Sequence, residues 1–307
     1  MIELLTDPWT YPFMQRAFLE ITIIGIATGL VGAFVVLRGL AFIGDALIHA
    51  VFPGLVLATI LGYDIMLGAF IFGGATALGI GLASRNRRVS HDAAIGVIFA
   101  AFFAVGIIMV SARRGYSAEV TSLLFGNILA IDERDIAITA FLALAVVAAG
   151  LIFKRVFILI AFDRTLAASS GYPVFRLELL LLLLVTLTVV FSLQAIGNLL
   201  VLSLLVTPAA AARVLTDRLN RMIALSMAIS AGSGIVGLYI SFHLDISASG
   251  SIALATTAVF LTALAFAPQH GYLSRILQHR RGEHHEHHFH EPHEHREIEG
   301  AGESRSP

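Results

Sequence analysis

The sequence predicts an all-α chain: a polytopic bundle of eight or nine transmembrane helices followed by a polar tail. Three observations predict it. Hydrophobic residues make up 57% of the 307 and charged residues 13%, against about 25% charged in a typical soluble domain. The charges fall in short runs between long uncharged stretches, and again near the C-terminus. Several of those stretches approach the roughly 20 residues a helix needs to cross a hydrocarbon core of about 30 Å. The formal net charge of −1 is unlike the basic face of a nucleic-acid binder, so no nucleic-acid partner is expected. The absence of cysteine excludes disulfides, thiolate metal sites and a cysteine nucleophile.

Taken in order, residues 1–16, "MIELLTDPWTYPFMQR", carry acidic Glu3 and Asp7 where a signal peptide has its basic segment. They read as a short extramembrane segment. The membrane domain follows over 17–270. Its spans are expected at 18–37, 41–61, 65–84, 93–112, 136–153, 174–195, 197–213, 222–242 and 248–267. Two are weak: 41–61 is interrupted by polar residues, and 197–213 is short and contains Pro208. Broken spans survive only where protein or a cavity covers the freed backbone groups. Gly25 and Gly29, four residues apart, and the glycine-rich spans around Gly73 and Gly234 suit close helix packing in lipid. No internal repeat is visible.

With nine alternating spans, Arg38, Arg85, Arg87, Arg88, Lys154, Arg155, Arg164, Arg213, Arg218, Arg221, Arg275, Arg280 and Arg281 share one side. Basic loops face the cytoplasm. The N-terminus is then outside and the tail inside. Arg113 and Arg114 fall on the wrong side. A miscounted or re-entrant segment near 117–131 would account for them, and eight spans is the alternative count.

The chain has no G-x-x-x-x-G-K-[ST] phosphate loop and no H-E-x-x-H pair. "SASGS" at 247–251 lacks the first glycine of an intramembrane serine-protease motif. The stretch "GDALIHAVFPG" (44–54) stands out instead. It places Asp45 and His49 four residues apart, on one helix face. Ionisable residues within a span are expensive and point to a pathway. Carboxylate with imidazole suits divalent manganese, zinc or iron. A pair satisfied by each other and the backbone is the plainer alternative. Pro53 and Gly54 are expected to break or bend the helix just beyond.

The stretch "LVGAFVVLRGLAFIGDALIHAVFPGLVLA" (30–58) resembles the membrane permeases of bacterial metal-ion ABC importers, the manganese, zinc and iron family. Five more stretches fit in order: "AAIGVIFAAFFAVGIIMVS" (93–111), "LLFGNILAI" (123–131), "FDRTLAASSGYPV" (162–174), "IGNLLVLSLLVTPAAAARVL" (196–215) and "HLDISASGSIAL" (243–254). The resemblance implies the fold of that permease type. It places Asp45 and His49 in a metal pathway between two permease copies. It assigns Asp163 to Gly171, with Arg164 and Ala167, to contact with an ATPase. Two departures stand out. Ile48 replaces a serine common before the histidine, and Ser247-Ala248-Ser249-Gly250 replaces a proline-containing turn. His243 and Asp245 are secondary metal candidates or helix-capping residues. Glu20, His91 and Asp92 are expected near membrane interfaces, without a role.

Residues 271–307 form the tail, whose "GEHHEHHFHEPHEH" (282–295) holds seven of the twelve histidines: His284, His285, His287, His288, His290, His293 and His295. The composition favours disorder and weak binding of zinc, copper or nickel. It reads as a cytosolic metal buffer or sensor, or simply as a solubilising tail, and it tilts the expected substrate toward zinc.

The resemblance therefore implies a non-enzymatic permease in the bacterial cytoplasmic membrane, surrounded by lipid. Its expected partners are an ATP-binding subunit, a metal solute-binding protein and a second permease copy. No cofactor is bound permanently; the divalent ion is cargo. The rival reading is a self-sufficient secondary metal transporter or channel. A cobalamin or siderophore permease would leave the Asp/His pair unexplained.

Overall fold

In the computed structural model, residues 6–85, 88–112 and 131–267 are described. After a 3-10 turn at Asp7–Thr10, the described residues form α1 (Pro12–Leu37), α2 (Ile43–Ala50), α3 (Phe52–Leu61), α4 (Ile65–Ala83), α5 (His91–Ser111) and α6 (Glu133–Ile152). They continue with α7 (Lys154–Phe162), α8 (Arg164–Ser169), α9 (Val174–Ile196), α10 (Asn198–Leu215), α11 (Leu219–Leu244) and α12 (Ala248–Phe266). No strand occurs among the described residues.

Local chemistry sets the helix ends. Pro12 opens α1 with its φ preset and no N–H to satisfy. The side chains of Asp64, Ser90, Asp132, Asp163 and Ser247 accept backbone N–H groups at the starts of α4, α5, α6, α8 and α12. Gly39, at φ +68°, closes α1. The Gly39 N–H reaches the Val36 carbonyl and the Leu40 N–H reaches that of Val35. This paired closure needs the left-handed conformation that glycine adopts freely.

Each of the nine expected spans is helical. Eight helical segments, with α2 and α3 counted together as Ile43–Leu61, are long and apolar enough to cross a membrane. The apolar run of α10, Leu200–Leu215, is shorter. Leu200, Val201, Leu204 and Leu205 are fully buried, so neighbouring protein covers this helix and Pro208 continues within it.

The centre of the bundle is α1, which packs against α6, α9, α10 and α11. A Cβ on Gly25 would lie 2.7 Å from the Ala231 Cα, and one on Gly29 2.6 Å from that of Met227. Small residues therefore let α1 and α11 meet backbone to backbone. Hydroxyls tie the crossing: Ser226 Oγ donates to the Gly29 carbonyl (2.6 Å), and Thr28 and Ser230 pair at 3.1 Å. Glu20 is fully buried in α1, with Thr139 and Asp135 of α6 as polar neighbours. Helix α1 begins at Pro12, six residues ahead of the expected span.

Arg38 at the end of α1 and His91 at the start of α5 line one cavity, so both lie at one end of the bundle. That end is called the basic end below. Arg16, near the start of α1, meets Asp132, the cap of α6, at 3.9 Å. Ser111 and Asp132 therefore both lie at the opposite end. Arg113, Arg114 and most of the segment 117–131, where a re-entrant turn was expected, fall among residues 113–130, outside the described residues.

Candidate functional site

Asp45 occupies the first turn of α2 and His49 its last. The His49 Nδ1 lies 2.9 Å from the backbone carbonyl of Asp45 and 3.6 Å from the Asp45 carboxylate. A carbonyl oxygen can only accept, so Nδ1 carries the proton in this bond. In the neutral imidazole Nε2 then keeps its lone pair. A distance of 3.6 Å is too long for a hydrogen bond, so the Asp45 carboxylate is not committed to the ring. The backbone thus orients the histidine, as second partners commonly do for metal-ligating imidazoles.

Two rings of α5 fix the other faces of His49. Phe99 and Phe103 meet it edge-on, with centroids 5.6 and 5.4 Å away. Ile48 is buried in the core. A backbone carbonyl and an aromatic clamp hold the imidazole between them.

His49 lines a partly open cavity of about 360 Å³, together with Ile48, Phe52, Phe103, Ile107, Val110, Ser111 and Asn198. Ser111 ends α5 and Asn198 begins α10. The cavity therefore runs from the imidazole toward the end of the bundle opposite Arg38. Asp45 lies on the other side of His49, nearer the basic end. Asp45 and His49 alone would not fill a metal shell, and no group of three or more His, Asp or Glu side chains gathers among the described residues.

The helix break falls at Val51, between α2 and α3, in the turn ahead of Pro53, where a proline disturbs the preceding carbonyls. Pro53 sits in the first turn of α3, where its missing N–H costs nothing. Gly54 admits a neighbouring helix. A Cβ there would collide with the carbonyl of Gly68, and one on Gly68 with that of Gly54, so this pair sets the close crossing of α3 and α4.

His243 and Asp245 close α11 instead of joining Asp45 and His49. Asp245 is the left-handed cap at φ +54°. His243 packs against Tyr239 and Phe242, in an aromatic cluster that includes Tyr11. The tail histidines from His284 to His295 lie outside the described residues.

At the basic end, α8 is a six-residue helix held at both ends. Asp163 Oδ1 accepts from the Leu166 N–H at 2.8 Å. Gly171, at φ +83°, closes it by the same paired turn that ends α1. Ala167 is fully buried and so anchors α8 to the bundle, while Leu166 is half exposed and points outward with Phe162.

Residues 10–267 match the ABC 3 transport family. The chain belongs to that family. The manganese transport system membrane protein MntC of Listeria monocytogenes is 39% identical over 263 residues, 86% of this chain and 94% of the relative. The chelated iron transport system membrane protein YfeC of Yersinia pestis is 38% identical over 275 residues, 89% and 93% of the two chains. Among solved structures, PsaBC from Streptococcus pneumoniae in complex with Fab matches with a TM-score of 0.78 and 35% identity. The match covers 91% of this chain and all of that one.

In this ABC 3 family chain, reading the residues singly misses two features of the geometry. Phe99 and Phe103 are camouflaged among apolar neighbours; only their spacing of four on one face of α5 hints at a clamp. Glu178 left a clearer trace. It is an acidic residue in the apolar run "VFRLELLLLLL", a position where a charge is costly unless paired.

Proposed function

We propose that this chain, a metal-ion ABC permease subunit in a membrane, imports manganese or iron past Asp45 and His49. The observation that carries the reading is His49: an imidazole whose Nδ1–H is held by its own helix, with Nε2 left for an ion at the base of a cavity. The relatives named for manganese and iron transport support those cargoes, and the carboxylate–imidazole pair suits both. The two missing features, further ligands and a closed cavity wall, favour a second permease copy across the pathway. The basic end faces the cytoplasm on this reading, with the N-terminus and the cavity mouth outside. Metal arrives from a solute-binding protein, and a separate subunit hydrolyses ATP, docking on the exposed Leu166 face of α8.

Reconstitution tests this. The permease with its ATPase in liposomes is expected to accumulate manganese only when ATP is supplied, with ferrous iron competing. Metal flux through the purified permease alone, without nucleotide, would establish the secondary-transporter reading instead.

The membrane domain over 17–270 follows the short segment 1–16 on this reading, and the tail 271–307 buffers metal beside the inner exit. Deleting 283–307 is expected to leave the maximal uptake rate intact and to change its dependence on external metal concentration. Uptake curves that superimpose would leave the tail only a solubilising role.

A further inference from the structure

Helix α8 and the metal-pair helix α2 do not touch through their functional residues, yet a two-armed ion link joins them. Glu178, in the second turn of α9, has a side chain only 9% exposed. Its Oε1 accepts from Arg38 Nη2 at 2.7 Å, and its Oε2 accepts from Arg164 Nη2 at 2.9 Å. Each carboxylate oxygen is thus committed to a different element. Arg164 opens α8. Arg38 caps α1, inside the Gly39 turn that leads into α2.

The two arms differ in stiffness. The Arg38 side chain is 10% exposed and that of Arg164 50%. The first pair is sheltered from water and held in one geometry. The second borders solvent, where a docked partner can reach it. Beyond Arg38 the backbone turn is rigid: the Gly39 and Leu40 amides are bonded back into α1, and the Ile43 N–H bonds the Leu40 carbonyl. A displacement of Arg38 therefore carries into the first turn of α2, which contains Asp45. Beside the link lies a cavity of about 20 Å³ lined by Arg38, His91 and Glu178, with room for about one water.

Stability alone does not require such a cluster, since apolar replacements of buried ion pairs are often neutral or stabilising. We propose that Glu178 is a positioning residue that transmits movement of α8 to the Asp45/His49 helix through Arg164 and Arg38. The inference rests on the reading of α8 as the ATPase-docking segment.

The test uses the assembled permease–ATPase complex in liposomes, with manganese uptake and ATP hydrolysis measured together. Glu178→Gln is expected to keep assembly and hydrolysis near the wild-type level and to lower manganese moved per ATP roughly tenfold, within the usual range of coupling effects. Adding Arg38→Gln to it is expected to change little more, because both substitutions break the same link. A second double variant, Arg38→Met with Glu178→Leu, removes the two buried charges together and leaves the half-exposed Arg164 to solvent. It is expected to fold and to remain uncoupled, which covers the case of Glu178→Gln failing to assemble. Wild-type transport per ATP in either Glu178→Gln or this double variant would overturn the proposal. So would equal losses of uptake and hydrolysis in an assembled variant, because that pattern marks lost docking. A wild-type complex with no ATP-dependent uptake would instead overturn the importer reading itself.

Discussion

Asp45→Ala and His49→Ala are each expected to reduce metal uptake to background while the complex still assembles and hydrolyses ATP. Changing residues that merely orient metal ligands typically costs 10–100-fold, so losing a ligand itself should cost about 100-fold or more. The geometry separates the two roles. His49 is oriented by the backbone carbonyl of residue 45, not by the Asp45 carboxylate. Asp45→Asn therefore leaves the imidazole in place and removes only the charge. Its uptake is expected to fall as far as that of Asp45→Ala. Radioactive manganese uptake with a parallel hydrolysis assay checks this. Normal uptake in both alanine variants would remove the pair from the pathway.

Gly54→Val is expected to collapse the folded yield. The added side chain meets the Gly68 carbonyl, a backbone atom that cannot turn aside. Overpacking costs about 1–3 kcal/mol where side chains can rearrange; here α3 and α4 must separate, so the cost lies at the upper end or beyond. Pro53→Ala, one residue earlier, is expected to be mild, because the proline sits where no helical hydrogen bond is lost. Size-exclusion profiles and thermal unfolding in detergent distinguish the two. A Gly54→Val protein with wild-type Tm would mean that the α3–α4 crossing has slack.

The contrast between Pro53 and Gly54 shows where sequence reading stops. Hydropathy placed the spans well, because a lipid-crossing helix must satisfy its backbone internally and announces itself by length. The spacing of Asp45 and His49 was legible for a similar reason, since helix geometry alone puts them on one face. The role of Gly54 was not. Whether a glycine bends a helix or admits a neighbour depends on what crosses it, and Gly68 lies on a separate helix. The burial of Glu20 was not legible either, because Thr139 and Asp135 reach it from a separate helix. Ala167 was assigned to an outward contact that its burial turns into an anchor. Arg38 was read as a loop charge and Arg164 as a loop charge in an ATPase contact; only the fold shows that they share one carboxylate.

The crossing of α1 with α11 has a consequence for how the protein is made. The Gly29 carbonyl receives its hydrogen bond from Ser226, 197 residues later in the chain. Synthesis proceeds at about 5–20 residues per second, so α1 leaves the ribosome some 10–40 s before that partner exists. The helix that becomes the centre of the bundle thus spends its first seconds with its glycine-lined face and Thr28 without their final neighbours. This part of the core can close only once α11 has been made, long after α1.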